Sequence, residues 1–408
     1  MKQIQALRGF TDLYPREKAL QQFVFSAFRE VAKQFGFEEY DGPIVEPVSL
    51  YANKSSEELL EKQTFQIKPR GEDDQWILRP EMTPTLARMI AAKERELIFP
   101  LKYFNIGPRF RYEAPQKGRS REFWQTDFDI LGSNSILSDA EILVSAISIL
   151  RKLGFTDDEF EVQINSRAYL QSQLLEIGVR QEQLGEVLQQ IDRMDKSDVK
   201  VDDSVKKLID SSVTSENDPY FKELFQYLKE YGVDKLCSIN LRVVRGLDYY
   251  TGLVFEIKKR NATGRVTLLG GGRYANLISN FNEKSEIAGV GFAVSDIALL
   301  AYLAEKNKLP NISSKPTKVL VTVFNKDTVN ASIEIVSQLR KVNIAAELYP
   351  ETDKKLEKQL KYADRNNIPY VLIIGPEEVE KKVYKLKDLK TKEQKELTKE
   401  ELVKVLSS

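Results

Sequence analysis

Between residues 16 and 36 the chain reads REKALQQFVFSAFREVAKQFG. Leu20, Phe23, Phe28, Val31 and Phe35 recur at helical spacing and Gly36 follows as a candidate C-cap, so this pattern predicts an amphipathic helix. EEYDGPIVEP then predicts a turn into a short extended run. TFQIKP at 64–69 and QWILR at 75–79 predict strands around the polar turn RGEDD. Residues 82–97 predict a helix, 101–113 and 121–131 two strands with a loop between them, and 138–153 another amphipathic helix. Strand-like runs return at 160–165, 239–244, 253–259 and 265–269. Many strands between hairpin-like connections, with helices in separate blocks, imply an α+β unit built on a largely antiparallel sheet.

Residues 168–236 differ, being rich in Gln, Glu, Lys and Leu with helical periodicity, and predict a helical insertion. Its polar faces read as solvated faces or as a binding surface. NKLPNISSKP at 307–316 predicts a linker. Beyond it, KVLVTVF, AAELY, YVLIIG and VYKLKDL alternate with helical stretches, which predicts a small α/β domain with a mainly parallel sheet. The Lys-rich tail KDLKTKEQKELTKEELVK reads as a solvated helix. The expected division is 1–167 with 237–306, an insertion at 168–236, a linker at 307–316 and a last domain at 317–408.

Hydrophobic residues at 42% and charged residues at 30% suit a core-forming chain, and no apolar run is long enough to span a membrane. The start, MKQIQALRGFTDLYP, has no apolar signal-peptide core, and the single cysteine, Cys237, excludes an internal disulfide framework, so a cytoplasmic protein is expected. Lys plus Arg and Asp plus Glu balance at 61 each, so any nucleic acid must bind through local patches. The 408 residues include no histidine. That excludes a serine–histidine triad and a zinc site of the usual Cys/His type. Arginine-rich electrostatic stabilisation of phosphate chemistry suits what remains.

Four stretches could carry chemistry. FRYEAPQKGRSREFWQ at 110–125 crowds Arg111, Lys117, Arg119 and Arg121 into one loop. It reads as a clamp for a polyanion, since arginine's planar fork matches phosphate oxygens, or as a charged surface hairpin. RGLDYYTGLVFE at 245–256 sets Arg245 before Gly246, Asp248 and two tyrosines; it reads as a site or as a strand start with an Arg–Asp ion pair. LRPEMTP at 78–84 holds Glu81 between prolines, as an ammonium-binding carboxylate or a capped helix start. LGGGRYANL at 269–277 is no P-loop, and reads as a tight turn between strand and helix more readily than as a ligand cradle.

Together and in this order, these stretches resemble the histidyl-tRNA synthetase family of class II aminoacyl-tRNA synthetases over nearly the whole chain. RGFTDLYP at 8–15 resembles that family's N-terminal signature, and GPIVEP at 42–47 its motif 1, with Pro43 or Pro47 at a dimer-facing strand. FRYEAPQKGRSREFWQ resembles motif 2, and RGLDYYTGLVFE and GGGRY the two signatures peculiar to the histidine enzyme. The resemblance implies an α+β catalytic domain with an antiparallel sheet flanked by helices, a helical insertion, a C-terminal α/β anticodon-binding domain and a homodimer. It implies ATP and Mg²⁺, with L-histidine and tRNA(His) as partners. Arg111 and Arg245 would be catalytic. Arg111, Glu113, Arg119, Arg121 and Phe123 would bind ATP. Glu81, Met82, Thr83, Gln125, Asp129, Tyr249 and Tyr250 would bind histidine, with Asp129 and Tyr250 reading the imidazole nitrogens.

The chain departs from the family pattern in places. Aligned on GFA, the arginine that usually ends motif 3 falls at Ala298 within GVGFAVSDIALL. Asp129 stands where the family often has Glu. Ala275 and Asn276 replace the usual Asp and Gly after GGRY, and Ala114 stands where many members carry a basic residue. A non-catalytic paralogue, serving as a regulatory subunit of histidine biosynthesis or as a tRNA sensor, is the competing expectation.

Overall fold

The fold is a computed structural model, in which residues 4–52, 64–68, 75–114, 120–194, 199–245, 250–260, 267–274, 286–312 and 315–407 are described. Met1–Asp12 with Leu20–Pro310 form one compact unit, and Leu13–Ala19 with Asn311–Ser408 the other. No helix among the described residues is long and apolar enough to cross a membrane.

The first unit contains β1 (Glu38–Glu39), β2 (Val45–Pro47), β3 (Phe65–Ile67), β4 (Trp76–Leu78), β5 (Leu101–Phe110), β6 (Glu122–Leu131), β7 (Phe160–Ser166), β8 (Cys237–Ile239), β9 (Leu253–Lys259), β10 (Thr267–Tyr274) and β11 (Gly289–Ser295). Eight of these form one sheet in the order β1-β5-β6-β11-β10-β9-β7-β8. All neighbours run antiparallel except β1 with β5 and β7 with β8. The short strands β2-β4-β3 make a separate antiparallel sheet.

The pleat sends alternate residues to opposite faces, and here the two faces differ in kind. One carries Phe104, Ile106, Phe128, Ile130, Val162, Ile164, Phe255, Ile257, Val290, Phe292 and Val294 into the main core. Phe128 lies between Phe104 and Phe292, with centroids 5.5 and 5.0 Å away; truncating such a ring costs about 3–5 kcal/mol. The helices Pro15–Phe35, Ile136–Lys152, Pro219–Glu230 and Asp296–Glu305 supply the residues that cover this face. Ile136–Lys152 starts where Ser135 caps the Leu137 N–H, and ends on Arg151 and Lys152, which suit the helix dipole. The other face of the sheet is polar and glycine-rich.

Between β7 and β8 the described regular elements are all helical. Leu170, Leu174, Leu188, Ile191, Val205 and Ile209 form their own cluster, whereas Phe221, Leu224 and Leu228 of the last helix join the main core.

The second unit carries β12 (Val319–Val321), β13 (Ala346–Leu348), β14 (Tyr370–Ile373), β15 (Tyr384–Asp388) and β16 (Gln394–Leu397), ordered β13-β12-β14-β15-β16. β12 is parallel to β13 and β14, but β15 and β16 add an antiparallel edge.

Several expectations need correction. The tail expected to be one solvated helix supplies β16 and then the helix Lys399–Ser407, whose Leu402 and Leu406 are buried in the second core. The strand expected at 239–244 stops at Ile239, because Asn240 turns the chain: its carbonyl accepts the Val243 N–H and its side chain the Arg242 N–H. The glycines expected in a turn lie inside β10. The capped helix start that LRPEMTP offered as one reading is not formed: the helix starts at Thr83 with Met82 at the cap position and no side-chain cap.

Candidate active site

Register places the candidate residues on the polar face. Gln125, Asp127 and Asp129 alternate along β6, with Gly107, Asn105 and Tyr103 opposite on β5 and Ser295, Ala293 and Gly291 opposite on β11. The row continues through Gly270, Gly272 and Tyr274 of β10 to Val254 and Glu256 of β9. The glycines clear the floor for larger side chains from neighbouring segments. A Cβ on Gly291 would lie 2.2 Å from Asp129 Oδ1, one on Gly272 2.7 Å from the Tyr250 ring, and one on Gly270 2.6 Å from Arg245 Nη1. Because Gly272 pairs with Gly291 and Gly270 with Ala293, Asp129, Tyr250 and Arg245 share one strip of sheet.

Asp129 is buried and accepts a hydrogen bond from the Tyr274 hydroxyl at 2.6 Å. Burial pushes its carboxyl up to about 8, with Asp127's charge adding to the rise and the Tyr274 hydrogen bond opposing it. Asp127 is held differently: Arg109 donates to its Oδ2 at 2.6 Å and Gln125 to its Oδ1 at 2.9 Å, while Arg109 also donates to Asn105 at 2.7 Å. Adjacent carboxyls thus sit in unlike environments, one ion-paired and one capped by a phenol.

The segment 79–83 forms an adjoining wall. Arg79 is fully buried and donates to Asp41 Oδ1 at 3.0 Å and to the Gly42 carbonyl at 2.7 Å, while its backbone N–H donates to Ile44. Glu81 and Met82 are buried, Thr83 is half-buried, and the Tyr51 hydroxyl donates to the Glu81 carbonyl at 3.0 Å. Arg111 ties the hairpin to this wall through Nε to the Pro80 carbonyl at 3.0 Å, with its guanidinium 5.4 Å from the Phe123 ring centroid. Arg121 lies over Tyr112 at 4.0 Å and donates to the Glu113 and Arg8 carbonyls at 3.2 and 3.4 Å. The Gly9 carbonyl accepts the backbone N–H groups of Arg121 and Glu122, so the N-terminal segment buttresses the hairpin base.

Arg245 adopts a left-handed backbone with φ 61°, uncommon for a side chain of its size. Its Nη1 donates to Glu256 at 3.5 Å; the Arg–Asp pair considered from sequence involves Asp248, which lies outside the described residues.

The structure therefore groups Gln125, Asp129, Tyr250 and Arg245 on the polar face and Glu81, Met82, Thr83, Arg111 and Phe123 along its wall. Arg121 and Glu113 sit together at the hairpin base. Arg119 and Tyr249, also expected in the site, lie outside the described residues, as do Lys117, Ala275 and Asn276. Sequence reading missed Tyr274, Asp127, Arg109 and Arg79. Asp127 was within reach, because Q-T-D-F-D alternates with the pleat and puts three polar side chains on one face.

Two arginines, buried carboxyls and tyrosines on a glycine-cleared floor can bind a small polar molecule beside a phosphate. A family model described as histidyl-tRNA synthetase matches residues 9–207 and 180–299, and one described as anticodon binding domain matches 318–408. The chain is 35% identical to a histidine–tRNA ligase of Leptospira biflexa, over 95% of this chain and 93% of that one. It is 33% identical to a histidine–tRNA ligase of Thermococcus kodakarensis, over 99% and 98%. Its fold matches the histidyl-tRNA synthetase of Nostoc sp. PCC 7120 at a TM-score of 0.81 and 22% identity, over 100% and 99% of the two chains. A Bacillus halodurans protein described as an ATP phosphoribosyltransferase regulatory subunit/histidyl-tRNA synthetase matches at 0.71 and 20%, over 88% and 96%.

Proposed function

The chain belongs to the histidyl-tRNA synthetase family and is a histidine–tRNA ligase, and we propose that the polar face of its eight-stranded sheet is where the reaction runs. The enzyme joins histidine to ATP as histidyl-adenylate, releasing pyrophosphate, and passes the histidyl group to tRNA(His). The observation that carries the assignment is the glycine-cleared strip, which sets Asp129 and Tyr250 beside Arg245.

In this reading Asp129 and Tyr250 take the two imidazole nitrogens. An analogue lacking a ring nitrogen would forfeit its hydrogen bond to one of these buried groups, which is a basis for rejection. Glu81, Thr83 and Gln125 take the ammonium group, and Met82 packs beneath them. Arg111 and Arg245 flank the α-phosphate and stabilise the charge that grows as the histidine carboxylate attacks. Phe123 supplies a face for adenine, and nucleotide binding is the role assigned to Glu113, Arg119 and Arg121. No protein base is needed, since the attacking carboxylate is already ionised.

Mg²⁺ is expected to arrive on the triphosphate. Among the described residues no three His, Cys, Asp or Glu groups cluster as metal ligands, and Asp127 and Asp129 are engaged by Arg109 and Tyr274. A phosphate-held ion that keeps its waters needs no such cluster. A homodimer is also proposed: β2 is an edge strand, and Ile44 just before it and Val45 at its start are 43% and 40% exposed. The competing regulatory reading has less support, because the relatives at 33–35% identity are histidine–tRNA ligases matched over 93% and 98% of their length, and an anticodon binding domain model matches residues 318–408.

The test is histidine-dependent exchange of labelled pyrophosphate into ATP by the purified protein without tRNA. Exchange that requires histidine is expected. A folded protein that binds histidine but gives no exchange would return the assignment to the regulatory or sensing paralogue.

A further inference from the structure

Arg245 does not stand alone on the polar face. Its Nη1 meets Glu256 Oε1 at 3.5 Å, and the other oxygen of that carboxylate meets Lys258 Nζ at 3.1 Å. Lys258 is buried and donates to Gln163 Oε1 at 2.5 Å. The same Gln163 oxygen accepts from Asn240 at 3.0 Å, and the Gln163 amide donates to Glu161 at 2.7 Å. Asn165, next on that face of β7, donates to the Leu241 and Val243 carbonyls at 3.2 and 3.1 Å. A row of polar groups across β9 and β7 thus grips both ends of the matter, the Arg245 side chain and the backbone that leads to it.

Charge adds a second constraint. A carboxylate paired with Arg245 alone would cancel the positive field that a phosphate needs. Lys258 on the far oxygen offsets the charge of Glu256, so Glu256 can anchor Arg245 while cancelling less of its charge. The side-chain exposures of 23% for Arg245, 17% for Glu256 and 10% for Lys258 keep these charges little screened. Gly270 completes the arrangement by leaving space where a Cβ would come within 2.6 Å of Arg245 Nη1.

We propose that Glu256 and Lys258 act as a positioning pair for Arg245 in the activation step. Glu256 fixes the guanidinium, and Lys258 offsets the charge of Glu256. Neither touches substrate. The inference rests on Arg245 being the phosphate-side arginine of the reaction.

The test is a double-variant cycle on the full chain, read by pyrophosphate exchange, with Tm measured alongside. Glu256→Gln should lower kcat by at least about tenfold and leave the KM values for ATP and histidine within about twofold, because only the transition state uses the placed charge. In an Arg245→Ala background the same change should cost less than about twofold more. Lys258→Met should behave alike, and it serves as the probe if Glu256→Gln lowers Tm sharply. Losses that add in the double variants, or KM effects as large as those on kcat, would overturn the inference and leave the site assignment standing. Arg245→Ala at the wild-type rate would overturn both.

Discussion

The Tyr274 hydroxyl donates to Asp129 Oδ1 at 2.6 Å, on the face of the sheet where Gly291 leaves the carboxyl room. The burial of that carboxyl sets how histidine binding depends on pH, and the Tyr274 hydrogen bond moderates it. With its carboxyl raised to about 8, Asp129 holds a proton at neutral pH, while free imidazole loses its own near about 6.5. Between those values the free partners carry one proton, and the complex keeps one between ring and carboxyl. Above about 8 the complex must take a proton up, so affinity should fall about tenfold per pH unit; below about 6.5 it must release one, and affinity falls again. Calorimetry in buffers of different ionisation heat measures both limbs. Asp129→Asn should lose the upper limb, and an upper limb unchanged in that variant would remove Asp129 from imidazole reading.

Linkage also fixes a sign for stability. A carboxyl whose folded pKa is raised stabilises the fold below its unfolded value of about 3.9, and that contribution is lost as pH rises through about 8. The decline of Tm over this window should be smaller in Asp129→Asn than in the wild type. A larger decline would contradict a proton held on this group.

Gly270→Ala should damage activity and stability together. The added Cβ would meet Arg245 Nη1 at 2.6 Å and the Phe255 carbonyl at 2.8 Å, and overpacking of that kind costs about 1–3 kcal/mol. Gly185→Ala is the control, since nothing lies within 4 Å of that helical position and a gain of about 0.5–1 kcal/mol is expected. Denaturant midpoints and exchange rates report both. Equal behaviour of the two variants would refute the role of crowding at β10.

Arg109 and Asp127 form an ion pair at 2.6 Å with side chains 0% and 6% exposed. Arg109→Met strands the carboxylate and should cost about 3–5 kcal/mol, while pairing it with Asp127→Leu should recover much of the loss. Urea unfolding of both variants decides the matter. A single variant within about 1 kcal/mol of wild type would show that the Arg109–Asp127 pair does not brace the sheet.

Tyr250→Phe should raise the KM for histidine more than that for ATP, whereas Arg245→Ala should lower kcat by about 10²–10³ with the fold intact. Parallel effects of Tyr250→Phe on both substrates would argue against its reading of imidazole. Ala298, in the first turn of Asp296–Glu305, offers a gain-of-contact test. Ala298→Arg should lower the KM for ATP by roughly tenfold, the worth of one charge-assisted hydrogen bond; no change would mean that the triphosphate lies elsewhere.

Much of this was legible along the chain, for identifiable reasons. β5 and β6 show as long alternating runs, because one face is core and the other is site. Residues gathered by the sheet were legible only through motifs: nothing local predicts that Asp129 and Tyr274, 145 positions apart, share a hydrogen bond. Glycine's low strand propensity pointed to a turn at 270–272, and only the cross-strand crowding explains why glycine stands there. The same gap hid Glu256, which reads as an ordinary strand residue until Arg245 is seen to reach it. The strand expected at 239–244 failed because Asn240 closes a turn that apolar patterning cannot register.

The most direct test of the central claim is a crystal structure of the protein with a non-hydrolysable sulfamoyl analogue of histidyl-adenylate. The imidazole is expected between Asp129 and Tyr250, and the sulfamoyl group within hydrogen-bond reach of Arg111 and Arg245. An analogue bound with its ring away from Asp129, or with neither arginine at the phosphate position, would contradict the account.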